Sequence, residues 1–141
     1  MLYDALRTQI NTYLAGEQLS WKMMAIHVNW VVDQINEYLN ACFPQFEDTP
    51  KDDDDNVRTY TAIPDLYIRT VIVPGAAHHF FMIDDEGATA EQDFNFLYQQ
   101  GLFNMLRDYS HSIPDEYQAD KDNGQVESTY EDSWGLRGIW I

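Results

Sequence analysis

The sequence contains a single cysteine and few basic residues. Cys42 has no second cysteine with which to form an internal disulfide, which is typical of chains that fold in a reducing compartment. Eight Lys and Arg residues oppose 24 Asp and Glu residues, so the formal net charge is −16. A surface of this sign repels phosphate backbones, which argues against sequence-specific recognition of DNA or RNA.

Long hydrophobic stretches are missing as well. No uninterrupted apolar run approaches the roughly 18 to 20 residues that a bilayer span needs. The start, from Met1 to Asp4, lacks the basic residues and the apolar stretch of a secretory signal. We therefore expect a chain that is made and folded in a cytoplasm and has no membrane partner.

Signatures of catalysis and of metal binding are also lacking. His78 and His79 are adjacent, so on a helix their side chains point about 100° apart and cannot easily hold one ion. The run from Asp52 to Asp55 does not complete a calcium loop, because Val57 and Ile63 stand where glycine and glutamate are needed. The sequence has no Gly-rich phosphate loop and no G-x-S-x-G motif. We predict no enzyme activity, no cofactor and no metal site.

The hydrophobic pattern predicts a single domain of the mainly α class. Hydrophobic residues make up 45% of the chain and aromatic residues 14%, which is enough for one packed core. Their spacing predicts four helices, over residues 2–14, 20–41, 64–83 and 89–109. Pro74 and Gly75 interrupt the third helix, where we expect a kink or a short break.

These helices predict an antiparallel bundle of about four helices with an extended C-terminal arm. The bundle domain spans residues 1–113 and contains an acidic loop at residues 45–57, and the docking arm spans residues 114–141. The second helix presents an apolar stripe that consists of Met24, Val28, Val31, Ile35, Tyr38 and Cys42. The stripe of the fourth consists of Phe94, Leu97, Tyr98, Leu102, Met105, Leu106 and Tyr109. Cys42 is therefore expected in the core.

Apolar residues are concentrated at the C-terminal end of the sequence, behind a polar linker. Large aromatic side chains on such a linker are typical of anchors that bury in a partner protein. The predicted partner-binding residues are Trp134, Leu136, Arg137, Ile139, Trp140 and Ile141. The alternative is that this segment folds back onto its own helices.

One further pattern covers the region from Ile63 to Tyr109. A helix that opens with Pro64 and Asp65 runs through small residues to aromatic residues at Phe80 and beyond, and a turn then leads into a long helix. This pattern resembles the head-to-tail adaptor proteins of tailed bacteriophages, which are also called head-completion or connector proteins.

The resemblance implies a structural virion protein at the junction between head and tail. About a dozen copies would form a ring beneath the portal protein. The C-terminal arm would dock on the portal, and the next tail or stopper protein would bind the opposite face. DNA would pass only as non-specific cargo, with acidic loops at the edge of its channel. The candidate channel-facing residues are Asp52, Asp53, Asp54, Asp55, Asp84, Asp85 and Glu86.

Two other functions stay open on the sequence. The net charge would suit an acidic DNA mimic that inhibits a DNA-handling enzyme, although the apolar C-terminal end does not favour that function. A small enzyme is the third possibility, and the sequence offers no site for it.

Overall fold

The computed structural model describes residues 1–14, 17–83 and 88–119, with side chains from Phe94 onward in the last range. It confirms the predicted mainly helical fold. The elements in chain order are α1 (Tyr3–Tyr13), α2 (Trp21–Leu39), α3 (Asp65–Tyr67), a π-helical segment (Ile68–Ile72), α4 (Val73–Ile83), α5 (Ala88–Tyr109) and a 3-10 turn (Asp115–Tyr117). Within these ranges, strand pairing is limited to isolated bridges such as that between Leu2 and Thr59.

Helix α2 begins and ends where its local sequence favours it. The Ser20 hydroxyl caps the N-terminus by accepting a hydrogen bond from the backbone N–H of Met23 at 3.1 Å. Asn40 ends the helix in the left-handed conformation, with a φ of 53°. Because this turn redirects the chain, Phe43 enters the core while Cys42 is exposed. The prediction that Cys42 lies in the core was therefore wrong.

The rest of the predicted stripe of α2 faces the core with one exception. The buried residues of the predicted stripe are Met24, Val28, Val31 and Ile35. Tyr38 is 49% exposed, contrary to the prediction, because Leu39 takes the last inward position of the stripe.

The centre of the fold is one continuous helix formed by α3, the π-helical segment and α4, which we call the central helix. It contacts α1, α2 and α5. Its middle part is buried on nearly all sides, as the sequence predicts for a helix that is apolar all round. Gly75 allows close packing here, since a Cβ atom at this position would lie 2.8 Å from both Tyr98 and Val31.

Pro74 is accommodated inside the central helix. A proline has no N–H to donate to the carbonyl group four residues earlier, and its ring crowds that turn. The π-helical segment ends at Ile72, two residues before Pro74, and the N–H of Val73 bonds to the carbonyl of Ile68, five residues back. A π-turn contains an extra residue and, like proline, is a recognised cause of irregularity within an α-helix. The irregularity expected at Pro74 is therefore a π-helical segment within an unbroken helix.

By length and mean hydropathy alone, the central helix could cross a membrane, which the sequence analysis did not expect. However, 61% of its most apolar window is buried inside the protein. The burial of this helix against α1, α2 and α5 is typical of a core helix.

Two asparagines of α2 hold the connection that leads to the central helix. The side-chain amide of Asn36 donates to the carbonyl of Phe43 at 3.0 Å and accepts from the N–H of the same residue at 2.8 Å. Asn29 makes the same paired contact with Phe46. Phe46 then stacks on Tyr3 of α1, with ring centroids 3.8 Å apart. These contacts fix the start of the acidic loop against two helices.

Residues 114–119 pack against the end of α2. The N–H of Cys42 donates to the carbonyl of Tyr117 at 2.7 Å, and the N–H of Ala119 donates to the carbonyl of Asn40 at 3.3 Å. The domain boundary predicted at residue 114 therefore falls inside the packed part of the chain. The remainder of the predicted arm, from residue 120 to residue 141, lies outside the described residues.

Candidate docking surface

Helix α5 carries apolar side chains on two opposite faces. Its inner face packs on the central helix through Tyr98, Leu102 and Met105, which are all buried. Its other side presents Phe96 and Phe103, whose side chains are 68% and 57% exposed. Because these two residues are seven positions apart, their rings lie two turns apart on the same side of the helix. A helix that is apolar on both sides is normally covered on both sides.

The outward side of α5 is also uncharged. Residues 94–106 contain no Asp, Glu, Lys or Arg, in a chain with 24 acidic residues. The exposed polar groups there include the amides of Gln99 and Gln100. Next along the helix, the Arg107 guanidinium donates two hydrogen bonds to the Asp108 carboxylate, at 2.8 and 2.9 Å. The uncharged stretch therefore ends at a pair of compensating charges. We call this surface, formed by Phe96, Leu97, Gln99, Gln100 and Phe103, the outer face of α5.

A shallow groove of about 290 Å³ lies beside the outer face. It is lined by Leu97, Gln100, Gly101 and Asn104 of α5, by Arg69, Thr70 and Pro74 of the central helix, and by Tyr13 of α1. Leu97, which the sequence assigned to the buried stripe of α5, is 45% exposed, so that prediction was wrong. An open groove of this kind suits a side chain of a partner protein better than a small-molecule substrate, which needs a pocket that encloses it.

The acidic loop forms an ordered turn around Asp52. One carboxylate oxygen of Asp52 accepts hydrogen bonds from the N–H groups of Asp54 and Asn56, both at 2.9 Å. Asp55 adopts a positive φ of 65°, which aspartate tolerates better than most residues. The side chains of residues 53–55 are exposed, so the turn concentrates negative charge at the surface. That these residues face a DNA channel stays a prediction.

Three histidines are buried where α2 meets α4. The Nδ1 atoms of His27 and His79 lie 2.8 Å apart, so one imidazole donates a hydrogen bond to the other. Trp30 stacks on His79, with ring centroids 4.6 Å apart. His78 and His79 are both buried, at 7% and 8% exposure.

Burial keeps the His27–His79 pair neutral. Burial, and to a lesser extent the neighbouring His79, lowers the pKa of His27 to about 4. Burial also lowers the pKa of His79, and the nearby His78 adds to this effect. A neutral, hydrogen-bonded pair of this kind, with Trp30 stacked on His79, is well suited to filling a helix interface. Over the ranges that the structure describes, no group of three or more His, Cys, Asp or Glu side chains could hold a metal ion.

All of the residues predicted to bind partners fall outside the described ranges, namely Trp134, Leu136, Arg137, Ile139, Trp140 and Ile141. Of the candidate channel-facing residues, Asp84, Asp85 and Glu86 also lie outside them. Conversely, the outer face of α5 was missed by the sequence analysis. The seven-residue spacing of Phe96 and Phe103 is visible in the sequence. Because Leu97, which lies between them, was predicted to face the core, the sequence did not indicate a second apolar face on α5.

Comparisons of this chain with protein-family models, with curated protein sequences and with solved structures find no match.

Proposed function

We propose that this chain is a non-catalytic structural protein of a bacteriophage virion, a subunit of the head-to-tail adaptor ring that links the capsid to the tail. In this function the helices form an antiparallel bundle, and an extended C-terminal arm docks on the portal protein. Neighbouring copies complete a ring of about a dozen subunits. The next tail or stopper protein binds the opposite face. The protein is made in the host cytoplasm, acts at the head–tail interface and uses no cofactor.

The observation that carries this proposal is the outer face of α5, an exposed apolar and uncharged surface on a chain of net charge −16. Exposed apolar side chains that cluster on one side of a protein mark sites of contact with other proteins. The sequence adds a second apolar cluster between Trp134 and Ile141, and the resemblance over Ile63 to Tyr109 supplies the type of assembly.

The negative charge of the protein supports a position beside DNA. A turn such as Asp52 to Asp55 repels phosphate groups, so DNA can slide past it without being held. DNA is then a passing cargo with no binding site on the protein. The same charge keeps separate copies soluble before they assemble.

Removal of Ser133 to Ile141 tests the docking arm. The shortened chain, tagged and expressed beside the native assembly, is expected to keep its helical circular-dichroism spectrum and to be lost from the purified particles. A full-length Asp120→Asn, Asp122→Asn variant changes only the linker and serves as the control, which should still join the particles. Incorporation of the shortened chain at the wild-type level would overturn the docking role of the arm.

The DNA-mimic alternative makes a different prediction. An inhibitor of that kind binds a DNA-handling enzyme through carboxylates, so its affinity falls steeply as salt is added. Docking through apolar side chains weakens little with salt, since it depends on buried apolar area. Salt-sensitive binding to a DNA-handling enzyme, together with absence from virus particles, would therefore favour the mimic.

A further inference from the structure

We propose that the outer face of α5 is covered by a second copy of this chain, so that copies associate through Phe96 and Phe103 without help from the C-terminal arm. This inference rests on the proposed function, because it names the partner of the α5 surface within the ring. It assigns association between copies to α5 and docking on the portal to the arm.

Charge is the first argument for a second copy. Two chains of net charge −16 repel each other over most of their surfaces. Repulsion is least where both surfaces lack charge, and residues 94–106 of α5 form such a stretch. The central helix beside it, from Leu66 to Ile83, has Arg69 as its only Asp, Glu, Lys or Arg residue. This side of the molecule is therefore where two copies can approach.

Other occupants fit this face less well. A strongly basic partner would be expected to meet carboxylates, and residues 94–106 have none. An anionic membrane surface would be expected to meet a rim of lysines and arginines around the apolar residues. The basic residues beside the face are Arg69, in the groove, and Arg107, whose guanidinium is already bonded to Asp108, and two such residues do not form a rim.

The chemistry of the face suits contact between identical chains. The amides of Gln99 and Gln100 can each donate and accept hydrogen bonds, so they can pair with polar groups of another copy without added charge. The rings of Phe96 and Phe103 can pack against apolar side chains of the neighbour, edge-to-face where these are aromatic. The groove beside Leu97 offers a place into which such a side chain can enter.

A single helix face is smaller than the roughly 800 Å² per partner of a standard protein interface. We therefore expect a weak pairwise contact with a Kd on the order of micromolar. Closure of a ring strengthens such contacts, because every later contact forms within an assembly that is already held together.

Sedimentation of the full-length protein over a wide concentration range tests the inference. We expect the mean mass to rise with concentration. Raising the salt from about 0.1 M to about 1 M shortens the Debye length from about 10 Å to about 3 Å and screens the repulsion between copies. The association should therefore become stronger in high salt, opposite to the behaviour of a contact made by ion pairs.

Phe103→Glu introduces a carboxylate into the face, and we expect at least about a tenfold weaker association. The new side chain lies one turn before Arg107, a spacing that supports the helix, and Phe103 is mainly exposed, so the melting curve should change little. Val57→Glu is the matched control, because Val57 is a 43% exposed apolar residue outside the helices. If Phe103→Glu unfolds the protein, Phe103→Gln tests the same contact without a charge and should also weaken association.

The outcomes separate this inference from the docking function of the arm. A full-length Trp134→Ser, Trp140→Ser variant should associate with itself as the wild type does and yet fail to join the particle. A wild type that stays monomeric in high salt, or a folded Phe103→Glu variant that associates normally, would overturn the inference and leave arm docking standing. Loss of self-association in the tryptophan variant would also overturn it, since the contact would then depend on the arm.

Discussion

Gly101 of α5 lies directly against the backbone carbonyl oxygen of Thr70 in the π-helical segment. A Cβ atom at Gly101 would overlap with this oxygen and would lie 3.2 Å from the Val71 side chain. The contact occurs one turn before Pro74, which has no N–H to donate to the Thr70 carbonyl. The glycine thus allows α5 to approach the central helix at its most irregular turn.

Gly101→Ala should therefore destabilise the protein. In an exposed helix interior, alanine is more stable than glycine by about 1 kcal/mol. Here the added methyl group meets rigid backbone, so we expect a loss of about 1–3 kcal/mol in the free energy of unfolding, measured in urea. Gln99→Ala on the exposed side of the same helix is the control and should change stability by less than about 0.5 kcal/mol. A gain in stability for Gly101→Ala would show that α5 does not approach Thr70 this closely.

Asn36→Ala should release the chain that follows α2. The substitution removes two hydrogen bonds to Phe43 and leaves the partly buried N–H and carbonyl groups of that residue without their partner. We expect a loss of about 1–3 kcal/mol in unfolding free energy, together with faster hydrogen exchange at the Phe43 amide. Glu37→Ala, at the exposed neighbouring position, provides the comparison. Equal exchange rates in the two variants would rule out this function of Asn36.

Two buried tyrosines should respond oppositely to loss of their hydroxyl groups. The Tyr60 hydroxyl donates to the carbonyl of Pro44 at 2.7 Å, whereas the buried Tyr98 hydroxyl has no hydrogen-bond partner among the described residues. Tyr60→Phe should therefore cost about 1 kcal/mol of stability, and Tyr98→Phe should be neutral or stabilising. Thermal melts of the two variants in the same buffer test this difference, and a larger loss for Tyr98→Phe would contradict the packing described for α5.

Acid should weaken the fold through the His27–His79 pair. The pKa of His27 in the folded protein, about 4, lies below its ordinary value of 6.5, so the unfolded chain binds the proton first as the pH falls. The stability of the neutral pair is fully present above about pH 6.5 and is lost progressively as the pH falls toward 4. For His27 the loss amounts to at most about 3 kcal/mol.

The measurement is unfolding free energy against pH for the wild type and for His27→Gln. Between pH 7 and pH 4 the wild type should lose more stability than the variant, because glutamine does not titrate. His111→Gln, which replaces an exposed histidine, should follow the wild-type curve. Parallel curves for the wild type and His27→Gln would exclude His27 as the source of the acid sensitivity.

The sequence predicted the helices well because their signals are local. The apolar spacing from Met24 to Ile35 and the cap at Ser20 each depend only on residues within one or two helical turns of each other. The prediction at Cys42 was wrong because the apolar stripe of α2 was extended past residue 41, beyond the real end of the helix. Asn40 ends the helix earlier by taking a left-handed conformation, and this shifts which later residues face inward.

Contacts between distant residues could not be predicted in the same way. His27 meets His79 across 52 positions, and this contact depends on how α2 packs against α4. The paired hydrogen bonds of Asn36 depend on the direction that the chain takes after Asn40. The outer face of α5 could have been found from the spacing of Phe96 and Phe103, but only packing shows which stripe of a helix faces the core.

An electron-microscopy image of the native assembly that contains this chain tests the central claim most directly. The account predicts a closed ring of copies at a head–tail junction, with Trp134 and Trp140 seated on the portal protein. A native state of isolated monomers, with both tryptophans buried against their own helices and no neighbouring chain in contact, would contradict it.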